Sequence, residues 1–111
     1  MPSDLDDAQL DDVLRAIAEP RRRAILALVA DRELAAGAIA EAFPDVSRPA
    51  ISQHLTVLKE AGLVDERRDG TRRIYRTHRD ALQALQRRLA ALWPDALASF
   101  KAHVESHPEQ P

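Results

Sequence analysis

The chain has 111 residues, 45% of them hydrophobic, with only 4% aromatic and three glycines. This fits one α-rich domain with an aliphatic core and argues against a sheet-rich fold with many tight turns. There is no cysteine, which excludes disulfides, thiolate metal sites and cysteine catalysis. The net charge of −2 hides an asymmetry: residues 1–12 hold five acids and no base, whereas residues 46–88 hold ten Lys/Arg against five acids.

No apolar run approaches the length of a membrane span and the acidic start does not read as a signal peptide, so a cytoplasmic protein that makes no membrane contact is expected. The whole chain, 1–111, is expected to form one domain, with residues 1–7 and 107–111 frayed.

Leu10, Val13, Leu14 and Ile17 recur at helical spacing and predict a helix over about 6–18. Pro20 suits the first turn of a second helix, whose buried face would be Ile25, Leu28 and Val29. A short third helix is expected from about Ala35 to Ala42, anchored by Leu34, Ile39 and Phe43. Phe43-Pro44-Asp45 then breaks the pattern. Ser47 is a plausible N-cap for a fourth helix, with Pro49 in its first turn and Ile51, Leu55 and Leu58 facing inward. Gly62 would end it in a left-handed conformation. Two extended runs, about 63–67 and 73–77, flank Asp69-Gly70 and predict a hairpin with a loop longer than two residues. From Asp80 a last helix carries Leu82, Leu85, Leu89 and Leu92, continued by Trp93, Leu97, Phe100 and Val104. Pro94 should kink or break it.

The order α-α-α-α-β-β-α gives a mainly α fold with a small β-hairpin. Its third and fourth helices are joined by a tight turn and followed by a basic hairpin, which reads as a winged helix-turn-helix. The stretch SRPAISQHLTVLKEAGLV (47–64) then makes sense. Its outer face carries Ser47, Arg48, Pro49, Ser52, Gln53, His54, Thr56 and Lys59, donors and acceptors suited to base edges and phosphates. His54 has two readings at this stage, as a phosphate contact or as a satisfied cap on the core. The hairpin carries Arg67, Arg68, Thr71, Arg72 and Arg73, and cations crowded around a tight turn call for an anion. The arginines at 21–23 could reach DNA or form a solvated face.

The chain resembles the ArsR-type winged helix-turn-helix repressors over about Ala18 to Thr77. The marks are AEPRRRAIL (18–26), ELAAGAIAEAF (33–43), SRPAISQHLTVLKEAGLV (47–64) and RRDGTRRIYR (67–76). The resemblance implies a homodimer on palindromic double-stranded operator DNA, with the first and last helices forming the interface. Leu10, Val13, Leu14, Ile17, Leu85, Leu89, Leu92, Trp93, Leu97, Phe100 and Val104 are the candidates for that seam. It also sets Ala35 and Gly37 where metal-sensing members carry cysteines. Asp80, His103 and His107 lack the spacing of the family's last-helix site. No metal and no cofactor are therefore expected, and the sequence leaves any small-molecule effector unknown.

Other readings are a winged-helix protein-interaction module and a metal-responsive repressor using His103 and His107. An enzyme is not expected, because the chain has no Gly-rich phosphate loop, no carboxylate cluster beside a histidine and no G-x-S-x-G.

Overall fold

Asp6 opens the first helix, α1 (Asp7–Ile17). Its carboxylate accepts from the Gln9 amide at 2.7 Å, and the Gln9 side chain accepts from the Asp6 amide at 2.8 Å. This reciprocal capping box fixes the start of the helix. The structure, a computed structural model, describes residues 4–92 and Val104. Pro94, Trp93, Leu97, Phe100, His103 and His107 lie outside the described residues, as does the expected fraying of 107–111.

From Asp4 onward the acidic start makes contacts with the last helix. Asp4 accepts from Arg87 Nε at 2.8 Å. Arg88 donates to the Leu5 carbonyl and to the Asp7 carboxylate, both at 2.7 Å. The early acids thus clamp the chain onto the last helix.

Glu19 caps α2 (Pro20–Leu28) by accepting from the Arg22 amide at 2.9 Å, with Pro20 in the first turn as expected. A two-residue strand, β1 (Leu34–Ala35), follows and leads into α3 (Ala36–Ala42). This strand is a departure from the sequence reading, which began the third helix at Ala35. Two residues show no periodicity, and β1 exists because it pairs antiparallel with β3, Leu34 opposite Tyr75 and Ala35 opposite Ile74.

The fourth helix, α4 (Arg48–Glu60), is framed at both ends by the residues expected. Ser47 Oγ accepts from the Ala50 amide at 3.2 Å. At the other end Gly62 has φ +78°. The Gly62 amide donates to the Lys59 carbonyl at 3.0 Å and the Leu63 amide to the Leu58 carbonyl at 2.9 Å. These two bonds are a Schellman motif, and they reverse the chain into the wing.

The wing is β2 (Val64–Asp69) and β3 (Arg72–Thr77), and the sheet order is β1-β3-β2. The hairpin is tighter than expected. Asp69 pairs with Arg72, so the loop is only Gly70-Thr71. Gly70 at φ +67° followed by a residue with negative φ is the pattern of a type II′ turn, which suits the twist of a two-residue hairpin. The end of β3 is sewn to α2: buried Thr77 donates its hydroxyl to the Leu26 carbonyl at 2.9 Å and its amide to the Val29 carbonyl at 3.1 Å. The last helix, α5 (Arg79–Leu92), starts there.

The core is aliphatic. Val13, Ile25, Val29, Ile39, Ile51, Leu55, Leu58 and Leu63 are almost wholly enclosed, with Tyr75 the sole aromatic ring buried among the described residues. In α2 the inward residues are Ile25 and Leu26, with Leu28 only half-buried. In α5 they are Ala81, Ala84 and Leu85, because small residues let that helix lie close, while Leu82 and Leu89 pack at its margin.

Gly62→Ala tests the reversal after α4. Nothing lies within 4 Å of an added Cβ, so the cost is the left-handed backbone alone. Denaturant unfolding should show a loss of about 1 kcal/mol with an unchanged slope.

Candidate nucleic-acid interface

Because Ile51, Leu55 and Leu58 turn inward, Arg48, Pro49, Ser52, Gln53 and Thr56 are left exposed along the outside of α4. Ser47, at the cap, is exposed beside them. The Thr56 hydroxyl donates to the Ser52 carbonyl at 3.0 Å, which keeps its methyl and oxygen lone pairs outward. The Arg48 side chain makes no ion pair or hydrogen bond among the described residues. The expected polar face therefore forms, from its first turn to Thr56.

Two residues expected on that face stand elsewhere. His54 is only 18% exposed and turns toward α2, with Nδ1 3.3 Å from Arg22 Nη1 and 4.0 Å from the Glu19 carboxylate. Its place between Ile51 and Leu58 sets it at the edge of the outer face against α2, the arrangement of a core cap. Lys59, in the last turn, reaches the Glu66 carboxylate at 3.6 Å and fastens α4 to the wing.

Strand alternation sorts the wing into two faces. Glu66, Arg68, Arg73 and Tyr75 share one, and Arg67, Asp69, Arg72 and Ile74 share the other. On the first face Tyr75 donates its hydroxyl to Glu66 at 2.7 Å, and Arg73 approaches Glu66 at 3.8 Å. Arg68 lies directly opposite Arg73, a like-charge pairing that disfavours the hairpin unless an anion approaches. On the second face Arg67 is held by Glu33 at 2.6 Å. The side chains of Arg68 and Arg72 make no ion pair or hydrogen bond among the described residues, even though Asp69 stands opposite Arg72. Thr71 sits exposed in the turn between them. All four wing arginines are exposed, Arg67 and Arg73 beside carboxylates and Arg68 and Arg72 with side chains that have no partner among the described residues.

The arginines at 21–23 are engaged within the chain, with Arg23 still exposed. Arg22 Nε donates to the Ala16 carbonyl and Arg23 to the Ile17 carbonyl, both at 2.6 Å, so they cap the end of α1. Arg21 pairs with Asp45 at 2.6 Å and lies over the Phe43 ring at 5.2 Å, pinning the turn between α3 and α4. Basic residues that close onto carbonyls across a helix junction leave no periodic signal, so this role was invisible in the sequence.

Dimer-seam candidates also divide. Leu10, Val13 and Leu85 are buried in the chain's own core and have almost no surface to offer a second copy. That is a correction: their spacing marked an apolar stripe, and the stripe's centre is consumed within the monomer. Ile17 and Leu89 are half-buried at its edge, while Leu14, Leu92 and Val104 are exposed. No group of three or more His, Cys, Asp or Glu side chains among the described residues is arranged to hold a metal ion.

A helix-turn-helix domain family matches residues 17–67. The HTH-type transcriptional regulator Rv2034 of Mycobacterium tuberculosis is 44% identical over 96 residues, covering 86% of this chain and 89% of that protein. An ArsR-like transcriptional regulator from Rhodococcus sp. RHA1 superposes with a TM-score of 0.69 at 33% identity, over 86% of this chain and 92% of the other. The homodimeric winged helix-turn-helix DNA-binding domain Mb0332 from Mycobacterium bovis matches with a TM-score of 0.63 at 36% identity, over 94% of this chain and 89% of that one.

The Glu66 cluster makes the wing's attachment pH-dependent. The Tyr75 hydrogen bond, with Lys59 and Arg73 beside it, holds Glu66 below its usual 4.5 against the opposing effect of burial. Burial, then the bond to Glu66, pushes Tyr75 up from 10.0 to about 12. A lowered acid contributes fully above its unfolded value and is lost as pH falls through the folded one. A raised phenol contributes fully below its unfolded value and is lost as pH rises through the folded one. Thermal stability should therefore fall below pH 4.5 and again between pH 10 and about 12. Glu66→Gln should cost about 1 kcal/mol at neutral pH and remove this cluster's part of the acid limb. An unchanged acid limb in that variant would place the titration elsewhere. With its framed α4, Schellman reversal and sheet-backed hairpin, the chain belongs to the ArsR family of winged helix-turn-helix transcriptional regulators, which are DNA-binding proteins and not enzymes.

Proposed function

We propose that this chain is a cytoplasmic repressor that binds a palindromic operator as a symmetric homodimer, without a metal. The observation that carries the reading is a division of labour among its polar side chains. Most of the arginines near the helix-turn-helix are used internally, whereas Arg48, Ser52, Gln53, Thr56, Arg68 and Arg72 face outward. Gln53 and Ser52 read base edges in the major groove, as amide and hydroxyl groups near the start of an exposed helix can. Arg68 and Arg72 meet the sugar-phosphate backbone beside it.

The dimer reading is supported by exposed Leu14 on α1 and Leu92 on α5, which is 60% exposed, and by the homodimeric relative from M. bovis. The proposed seam is Leu14, Ile17, Leu89, Leu92 and Val104. Sedimentation at micromolar concentration should give about twice the 12.4 kDa chain mass; a single-chain species would end the dimer reading. Zinc, nickel and cobalt titrations should show no stoichiometric site.

The two parts of the interface have separable signatures. Gln53→Ala should cost about 1–3 kcal/mol on operator duplex, relax preference at particular base pairs and barely change binding to scrambled duplex. Arg72→Ala removes two symmetric phosphate contacts in the dimer, so it should weaken both duplexes alike and flatten the log–log salt slope by about two units. Fluorescence anisotropy across a salt series reads both. Equal losses for Gln53→Ala on both duplexes would remove α4 as the base reader.

A further inference from the structure

We infer that His54 is a positioning residue of the recognition helix, acting as a neutral hydrogen-bond acceptor for Arg22 and not as a DNA contact. Arg22 spans the junction of three helices. Its Nε donates to the Ala16 carbonyl at 2.6 Å, its Nη2 approaches the Arg15 carbonyl at 3.3 Å, and its Nη1 lies 3.3 Å from His54 Nδ1. The backbone amide of the same residue is held by Glu19 at 2.9 Å. One guanidinium thus binds the end of α1 on one side and the middle of α4 on the other.

A guanidinium only donates. The nitrogen it faces must therefore carry a lone pair, which makes His54 the neutral tautomer with its proton on Nε2. A proton added at Nδ1 would oppose Arg22 and draw the ring toward the Glu19 carboxylate, 4.0 Å away. The helix would then be held by the start of α2 instead of by the α1–α2 junction. The charged groups on neighbouring elements are Glu19 and Arg22 of α2, Asp12 and Arg15 of α1, which pair with each other at 3.1 Å, and Glu60 of α4, which lines the same cleft as Arg22. On β2, Glu66 is engaged by Lys59 and Tyr75. Arg21 is engaged by Asp45 in the turn after α3.

The consequence for binding rests on the operator reading given above. A histidine on the DNA face would lose its contact in any neutral replacement, whereas one that orients α4 through Arg22 can be replaced by another acceptor at the same place. His54→Asn presents an amide oxygen near the Nδ1 position and should bind operator like the parent protein. His54→Ala should bind about tenfold more weakly, by the loss of one oriented hydrogen bond per protomer.

The tautomer is read without DNA, from imidazole ¹⁵N shifts of the full chain at pH 7.5. The expected result is a protonated Nε2 and an unprotonated, hydrogen-bonded Nδ1, with Nδ1 changing in Arg22→Lys. An Nδ1–H tautomer, or a His54→Asn variant as weak as His54→Ala, would overturn the proposal. A chain that binds no DNA would sink the operator reading alone, and the nitrogen shifts would still decide this one.

Discussion

Ile51, Leu55 and Leu58 bury one stripe of α4 so completely that everything on its other side must face solvent. That burial is the constraint from which the outer face follows. Yet aliphatic contacts are non-directional, and a smooth core fixes a helix's depth better than its rotation or tilt. The chain answers with directional bonds at each end and in the middle. Ser47 and Gly62 fix where α4 starts and stops, Lys59 ties its last turn to the wing, and Arg22 meets His54 at its centre. Exposed ion pairs such as Lys59–Glu66 contribute little to stability individually, and their effect here is on orientation.

The same reasoning explains how a chain of net charge −2 serves a polyanion. Its acids are placed where they neutralise particular arginines: Asp4 and Asp7 against Arg87 and Arg88 of α5, Asp45 under Arg21, Glu33 against Arg67, Asp31 against Arg79. On the outer face of α4 from Arg48 to Thr56 what stays outward is cationic or neutral, and at the wing tip Arg68 and Arg72 outnumber the one exposed acid, Asp69. Screening confines exposed charges to about 10 Å at ordinary ionic strength, so the local balance matters more than the total.

Elements with a strong period or a chemically distinctive end were legible in the sequence. α1, α4 and the Gly62 reversal follow from apolar spacing, a hydroxyl cap and a glycine, and the structure has each of them. β1 was not legible because it has two residues and owes its existence to β3. The tight turn was missed because Asp69, read as loop, is the last strand residue. Within the site, the outer face of α4 could be read from polar residues at helical spacing. The roles of Arg22, Arg23 and His54 could not, since they depend on which carbonyls and rings a long side chain meets across helix junctions. The apolar stripe of α1 was visible, but periodicity does not say how much of a stripe the monomer itself consumes, and Leu10 and Val13 went inward.

In the proposed homodimer this architecture has one further mechanical consequence. A two-fold protein on a palindrome must hold its two reading helices about one turn of DNA apart, roughly 34 Å, and an error in tilt at one helix is repeated by symmetry at the other. The distance is transmitted from the seam to the groove through α1, then α2, then α4. At the α1–α2 joint the carbonyls of Ala16 and Ile17 are held by Arg22 and Arg23, and at the α2–α4 joint the same Arg22 meets His54. Neither joint depends on a bulky side chain, which suits a core with so few rings. Spacing precision therefore rests on arginine donors with fixed geometry, and a substitution at Arg22 would alter the separation of the half-site readers without touching either the seam or the DNA.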